Sequence, residues 1–240
     1  PHGLPEARAA VTARYAERGL SVSPDQITVA SGTSEAYGYL FKLLCDPGDE
    51  VLVPEPSYPL FSDLCRLENV LPRPYPLHYD GEWHLGLAEL AQAVGPRTRA
   101  IMLVGPNNPT GSYLKRAELA ALERLGLPLI SDEVFADYPL RADPERVHSA
   151  LESETALVFA LDGLSKQCAL PQWKIAWICA RGPAPQLHAA RARLELIADT
   201  YLSVATPTQL ALPRLFELSK PVRAAIQARL ARNLAQLKQA

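Results

Sequence analysis

Short apolar runs alternate along the chain with stretches in which apolar residues recur three and four positions apart, the patterns of strands alternating with helices. The runs at 27–30, 50–53, 100–104, 127–131, 156–161 and 175–180 predict strands, and several are too apolar to have a wet face. That is expected of a parallel sheet covered on both sides. Helical spacing predicts helices at 4–18, 34–44, 58–67, 87–93 and 115–125. After Arg181 the texture is helical only, through 186–201, 208–218 and 221–239. No internal repeat or low-complexity linker interrupts the pattern, so one α/β domain followed by a helical tail is predicted.

Composition narrows the function classes. The 240 residues are 48% hydrophobic and 21% charged with a net charge of −2, ordinary for a globular protein and without the basic stripe that nucleic-acid binding needs. No apolar run approaches the roughly 20 residues of a membrane span. The chain opens on Pro1, which points to processing or to a segment of a longer polypeptide. Cys45, Cys65, Cys168 and Cys179 fit neither a metal pattern nor a disulfide framework, so buried reduced thiols in a cytoplasmic protein are expected.

Ligands of open parallel sheets sit beyond the carboxyl ends of the strands. There, Ser31-Gly32-Thr33-Ser34 joins a strand to a helix and could cradle a phosphate on free backbone N–H groups, or simply cap the helix through Thr33 or Ser34. Asn107-Asn108-Pro109-Thr110-Gly111 reads equally as a tight turn. Asp132 ends an apolar run near the sheet's edge, where a carboxylate needs a partner or a capping role. Lys166 follows a strand through Asp162-Gly163-Leu164-Ser165, and a lysine in such a loop is by itself usually solvated. The ordered set changes that reading: an anion loop, an asparagine turn, a strand-end aspartate and a strand-end lysine follow one another on one face.

These residues resemble the fold-type I pyridoxal-phosphate-dependent enzymes, in particular class I/II aminotransferases. The resemblance is carried by Asp46-Pro47-Gly48-Asp49-Glu50-Val51, Pro56-Ser57-Tyr58-Pro59, Asn108-Pro109-Thr110-Gly111, Asp132-Glu133-Val134 and Ser165-Lys166, in order from Gly3 to about Gln209. It implies a three-layer α/β/α sandwich on a mostly parallel, seven-stranded sheet, the large domain of an aspartate-aminotransferase-like protein. An N-terminal segment and a small C-terminal domain would lie outside this chain. It also implies that Lys166 joins the aldehyde of pyridoxal 5'-phosphate as a Schiff base and moves the substrate proton. Asp132 would pair with the ring nitrogen, Asn108 with the phenolic oxygen, and Tyr58 with the ring face. Gly32, Thr33 and Ser34 would hold the phosphate.

Three positions depart from the family's pattern. Lys174 stands where an arginine usually grips the phosphate, and lysine lacks the bidentate fork. Gly163 replaces a common phosphate-binding serine, and Phe135 replaces a tyrosine that donates to the phenolic oxygen, leaving that oxygen less stabilised. The resemblance implies ping-pong transfer of an amino group from an amino acid to a 2-oxo acid, in a homodimer with shared sites. No arginine lies between Leu194 and Pro213, where dicarboxylate-specific relatives often carry one, which favours a neutral amino acid. The same scaffold supports lyases and decarboxylases, and serves as the ligand-sensing domain of some transcription regulators.

Overall fold

The computed structural model describes residues 1–239. Eight strands form one sheet in the order β1-β8-β7-β6-β5-β2-β3-β4. They are β1 (Ile27–Ala30), β2 (Glu50–Glu55), β3 (Leu71–Tyr79), β4 (Trp83–Leu85), β5 (Thr98–Val104), β6 (Leu129–Asp132), β7 (Val158–Gly163) and β8 (Ala176–Arg181). Pairings β3–β2, β2–β5, β5–β6 and β6–β7 are parallel, whereas β8 runs antiparallel to both β7 and β1. Helices α1 (Pro5–Glu17), α2 (Thr33–Leu44), α3 (Phe61–Leu67), α4 (Leu87–Ala93), α5 (Arg116–Glu123), α6 (Leu164–Gln167), α7 (Ala184–Asp199) and α8 (Thr206–Leu237) complete the chain.

The pleat sorts the core into two halves. Ile27, Leu52, Ile101, Leu129, Val158 and Trp177 pack against α1, α4, α5 and α8. Residues of opposite parity, among them Val51, Met102, Ile130, Phe159 and Ile178, pack against α2, α3 and α7. Helices therefore cover both faces, and the three-layer sandwich follows from strands that are apolar on both sides.

The sheet has eight strands where seven were expected, because a short antiparallel β4 adds to β3 at the edge. Neither β3 nor β4 is among the strands read from the apolar runs. Pro72, Pro74 and Pro76 interrupt the apolar pattern of β3, and proline is excluded from a strand that pairs fully on both sides. The geometry resolves this. Leu71 N–H points to β2, where it donates to Asp49 C=O at 2.8 Å. The prolines, at the alternate positions, direct their missing donors to the open side, and β4 pairs only with 77–79.

The tail also differs from its expectation. Instead of two helices divided near residue 220, α8 is one helix of 32 residues running through Pro213 and Pro221. Both prolines are exposed, so their rings interrupt the helix on its solvent side, away from the residues that anchor it. Leu212, Leu215 and Phe216 anchor its first half to the core. Of the cysteines, Cys65, Cys168 and Cys179 are buried and Cys45 is half-buried, all as free thiols. No helix among the described residues is long and apolar enough to cross a membrane.

A buried polar network ties the first helix to the sheet. Glu133 Oε1 accepts hydrogen bonds from Ser131 Oγ at 3.0 Å, Ser149 Oγ at 2.8 Å and Ala150 N at 2.9 Å. Its Oε2 meets Arg18 at 3.3 Å, and Arg18 lies 3.6 Å from Asp162. Glu133→Ala, which strands these donors and the guanidinium, is expected to lower stability by about 3 kcal/mol, read as a fall in the urea midpoint. A second packing constraint sits across the β7–β8 pair, where Gly163 and Ala176 are register partners. A Cβ on Gly163 would approach Ala176 Cβ to 2.9 Å and Ile175 C=O to 3.0 Å. Gly163→Ser is expected to cost about 2 kcal/mol, and adding Ala176→Gly to raise the melting temperature above that of the single variant.

Candidate active site

The C-terminal ends of β5, β6 and β7 open onto a cavity of about 160 Å³. Its walls include Thr33, Tyr58, Asn108, Asp132, Phe135 and Lys166. Five of the eight residues expected to hold the cofactor, Thr33, Tyr58, Asn108, Asp132 and Lys166, thus converge from five separate segments.

Asp132 ends β6 on the face covered by α2 and α3 and is 8% exposed. Tyr37 Oη, from α2, donates to its Oδ2 at 2.7 Å, and Val134 N–H donates to its Oδ1 at 3.2 Å. Burial pushes the carboxyl above its usual range, while the Tyr37 and Val134 donors and the charge of Lys166 draw it down. The net upward direction means that a buried negative charge here is best stabilised by a positive partner.

Lys166 rides on the four-residue helix α6, immediately after Gly163. The approach to it is rigid. Asp162 Oδ1 accepts Gly163 N–H at 2.7 Å, and its Oδ2 accepts Gln167 Nε2 at 2.9 Å. Burial drives the Asp162 carboxyl well above its usual range, opposed by the nearby Arg18 guanidinium. Tyr138 Oη donates to the Lys166 carbonyl at 2.9 Å from outside the cavity. The side chain of Lys166 itself is exposed, with Nζ 5.9 Å from the centroid of the Phe135 ring, within cation–π range.

Two loops are fastened to one another by Asn107, which the sequence reading treated only as part of a turn. It is 5% exposed and donates from Nδ2 to Pro56 C=O at 3.0 Å and Thr110 Oγ1 at 2.9 Å. Its Oδ1 accepts Ser57 Oγ at 2.7 Å. Tyr58 and Asn108, the next residues along these loops, are thereby set on the same cavity. Phe61 meets the Tyr58 ring edge-to-face at 5.5 Å.

At the start of α2, Gly32 is the N-cap and its C=O accepts the first intrahelical bond, from Ala36 N–H at 3.1 Å. The N–H groups of 33–35 therefore have no intrahelical acceptor. Thr33 lines the cavity, whereas Gly32 and Ser34 do not. Open space surrounds Gly32: a Cβ there would meet nothing within 4 Å.

Lys174 is not brought to this cavity. It is exposed, in the left-handed region with φ 47° at the end of the turn Pro171–Trp173. That backbone directs it into a neighbouring groove with Ser31, Glu35 and Trp173. The methyl of Ala176 lines the cavity beside Gly163, so the bulk absent from position 163 is supplied from across the β7–β8 pair. Besides Asn107, two further contributing residues were missed in the sequence. Ala176 was read only as part of a strand, and Tyr37 only as part of a helix. A signal for Tyr37 existed, because it lies one turn after Thr33 on the same helix.

The donor set suits a phosphorylated pyridine aldehyde. A primary amine, a buried carboxylate calling for a cation and a helix start with free N–H groups surround a single cavity, and Gly32 leaves room for an anion at that helix start.

Comparisons with known proteins agree with this reading. The family model described as "Aminotransferase class I and II" matches residues 1–239. A tyrosine aminotransferase of Caenorhabditis elegans is 29% identical over 181 residues, covering 73% of this chain and 39% of the relative. A glutamate-pyruvate aminotransferase of Escherichia coli is 29% identical over 212 residues, covering 86% of this chain and 52% of the relative. The chain thus spans about two-fifths to one-half of the length of these relatives. Among solved structures, an alanine aminotransferase from Pyrococcus furiosus superposes with a TM-score of 0.86 at 27% identity, covering 99% of this chain and 62% of that one. An N-succinyldiaminopimelate aminotransferase from Mycobacterium tuberculosis gives 0.81 at 29% identity, with coverage of 99% and 62%. On the strength of the family match and of these likenesses, the chain belongs to the class I and II aminotransferases of fold type I, whose members use pyridoxal 5'-phosphate.

Proposed function

We propose that the protein is an aminotransferase that moves an amino group from an amino acid to a 2-oxo acid in two half-reactions. In this reading the chain is the cofactor-binding large domain of a longer, cytoplasmic, homodimeric enzyme. The observation that carries it is the convergence of Lys166 and Asp132 on one cavity beside the start of α2. When bound there, pyridoxal 5'-phosphate supplies the aldehyde that takes up the amino group and the ring that accepts the electron pair released at the substrate's α-carbon.

The chain's own residues divide the remaining work. Asp132 pairs with the ring nitrogen and keeps it protonated, Asn108 donates to the phenolic oxygen, and Tyr58 covers the ring face. Backbone N–H groups of the Gly32-Thr33-Ser34 turn and the Thr33 hydroxyl would hold the phosphate, with Lys174 a cation in the neighbouring groove beside Ser31 and Glu35. Lys166 would hold the cofactor through its ε-amine, and the same amine would serve to carry a proton from the substrate's α-carbon. The stretch from Leu194 to Pro213 offers no guanidinium for a distal carboxylate, which favours a substrate with a neutral side chain.

With the full-length protein, adding pyridoxal 5'-phosphate is expected to produce a visible absorbance band, and borohydride reduction to fix the cofactor on the peptide that contains Lys166. Lys166→Ala is expected to lose both signals and to slow amino transfer at least about 100-fold in a screen of amino-acid donors and 2-oxo-acid acceptors. A band unaffected by Lys166→Ala, or cofactor fixed to another lysine, overturns the assignment.

A further inference from the structure

A buried hydroxyl that none of the roles above uses lies directly behind the cavity. We propose that Tyr37 is a positioning residue for the amino-transfer site: through its hydroxyl on Asp132 Oδ2 it aims that carboxylate and keeps it ionised for the ring nitrogen. This rests on the assignment of Asp132 made under the proposed function.

Tyr37 is 1% exposed and its ring is fixed by two neighbours. Phe61 meets it edge-to-face at 5.5 Å and Phe41 stacks on it at 6.1 Å. Phe61 also holds the Tyr58 ring, so one aromatic residue braces both Tyr37 and a wall of the cavity. A phenylalanine at position 37 would fill the same apolar space, and what the hydroxyl adds is spent on one acceptor. It lies 2.7 Å from Asp132 Oδ2, and no other side chain among the described residues donates a hydrogen bond to Asp132. Val134 N–H holds the other oxygen, so two donors on different oxygens fix the plane of the carboxylate, and the remaining lone pairs are left for the cavity.

The hydroxyl is also a permanent donor. Burial, and then the charge of Asp132, raise the Tyr37 pKa well above its usual value, so the phenol does not ionise at any pH the protein experiences. A donor to the charged form favours that form, and the Tyr37 bond opposes the burial that would neutralise Asp132. Without it, the carboxylate becomes more basic and competes more strongly with the ring nitrogen for the shared proton.

The test uses full-length protein loaded with ¹⁵N-labelled pyridoxal 5'-phosphate. In Tyr37→Phe, the ring ¹⁵N resonance is expected to move toward that of unprotonated pyridine, and the cofactor dissociation constant to rise roughly tenfold. In the cofactor-free protein, the ¹³C-labelled Asp132 carboxyl is expected to titrate at higher pH in the variant than in the wild type. Asp132→Asn is measured alongside: it is expected to displace the ¹⁵N resonance, and Tyr37→Phe added to it to weaken cofactor binding no further. A Tyr37→Phe variant with the wild-type ¹⁵N resonance, dissociation constant and Asp132 titration, altered only in melting temperature, overturns the proposal. If Asp132→Asn also leaves the ¹⁵N resonance unchanged, the assignment of Asp132 itself has failed and takes this inference with it.

Discussion

Two carboxylates in succession, each buried and each satisfied on a different face of the sheet, set the frame on which the site is built. β6 is a central strand, and its pleat directs Asp132 toward α2 and Glu133 toward α1. On one face Asp132 draws in the hydroxyl of Tyr37 and so ties the strand end to the helix whose first turn borders the cavity. On the other, Glu133 gathers Ser131, Ser149 and Arg18, and Arg18 reaches Asp162. Asp162 in turn holds Gly163 and Gln167, the residues on either side of the segment that carries Lys166. The amine and the helix start are therefore both referenced to one dipeptide. Buried groups of this kind add little net stability, but removing one partner is severe, which fixes the arrangement rather than strengthening it.

How far the sequence discloses this varies with the kind of interaction. Strands apolar on both faces and helices of regular spacing are local signals, and β1 and α4 occupy the ranges read from them. The proline-rich β3 was hidden, because whether a missing N–H matters depends on which side of the strand has a neighbour. The continuity of α8 was hidden for a related reason: solvent exposure of Pro213 and Pro221 is a tertiary fact.

The site shows the same division. Thr33, Tyr58, Asn108, Asp132 and Lys166 were legible because motifs place them at the ends of elements, and the fold brings the ends together. Lys174 was legible as a departure, yet its direction was not, since the left-handed turn that carries it away from the cavity has no glycine or asparagine to announce it. Asn107 and Tyr37 act through partners 51 and 95 positions away. Spacing shows at most that Tyr37 lies one helical turn after Thr33, and only the folded chain reveals the distant partners.

The exchange of bulk between Gly163 and Ala176 bears on how such a pocket can change over generations. The small residue on this rung is required at 163, because backbone atoms of Ile175 and Ala176 stand 3.0 Å from where its Cβ would sit. A lineage moving a side chain from one strand to the other cannot grow the new one first, because the two Cβ atoms would collide. Removing the Ala176 methyl first relieves that collision but leaves the Ile175 carbonyl and the Ala176 Cα 3.0 Å away, so glycine at both positions loosens the rung without clearing it. Bulk on this rung can therefore vary only from β8, and the floor of the cavity is open to change from that strand alone.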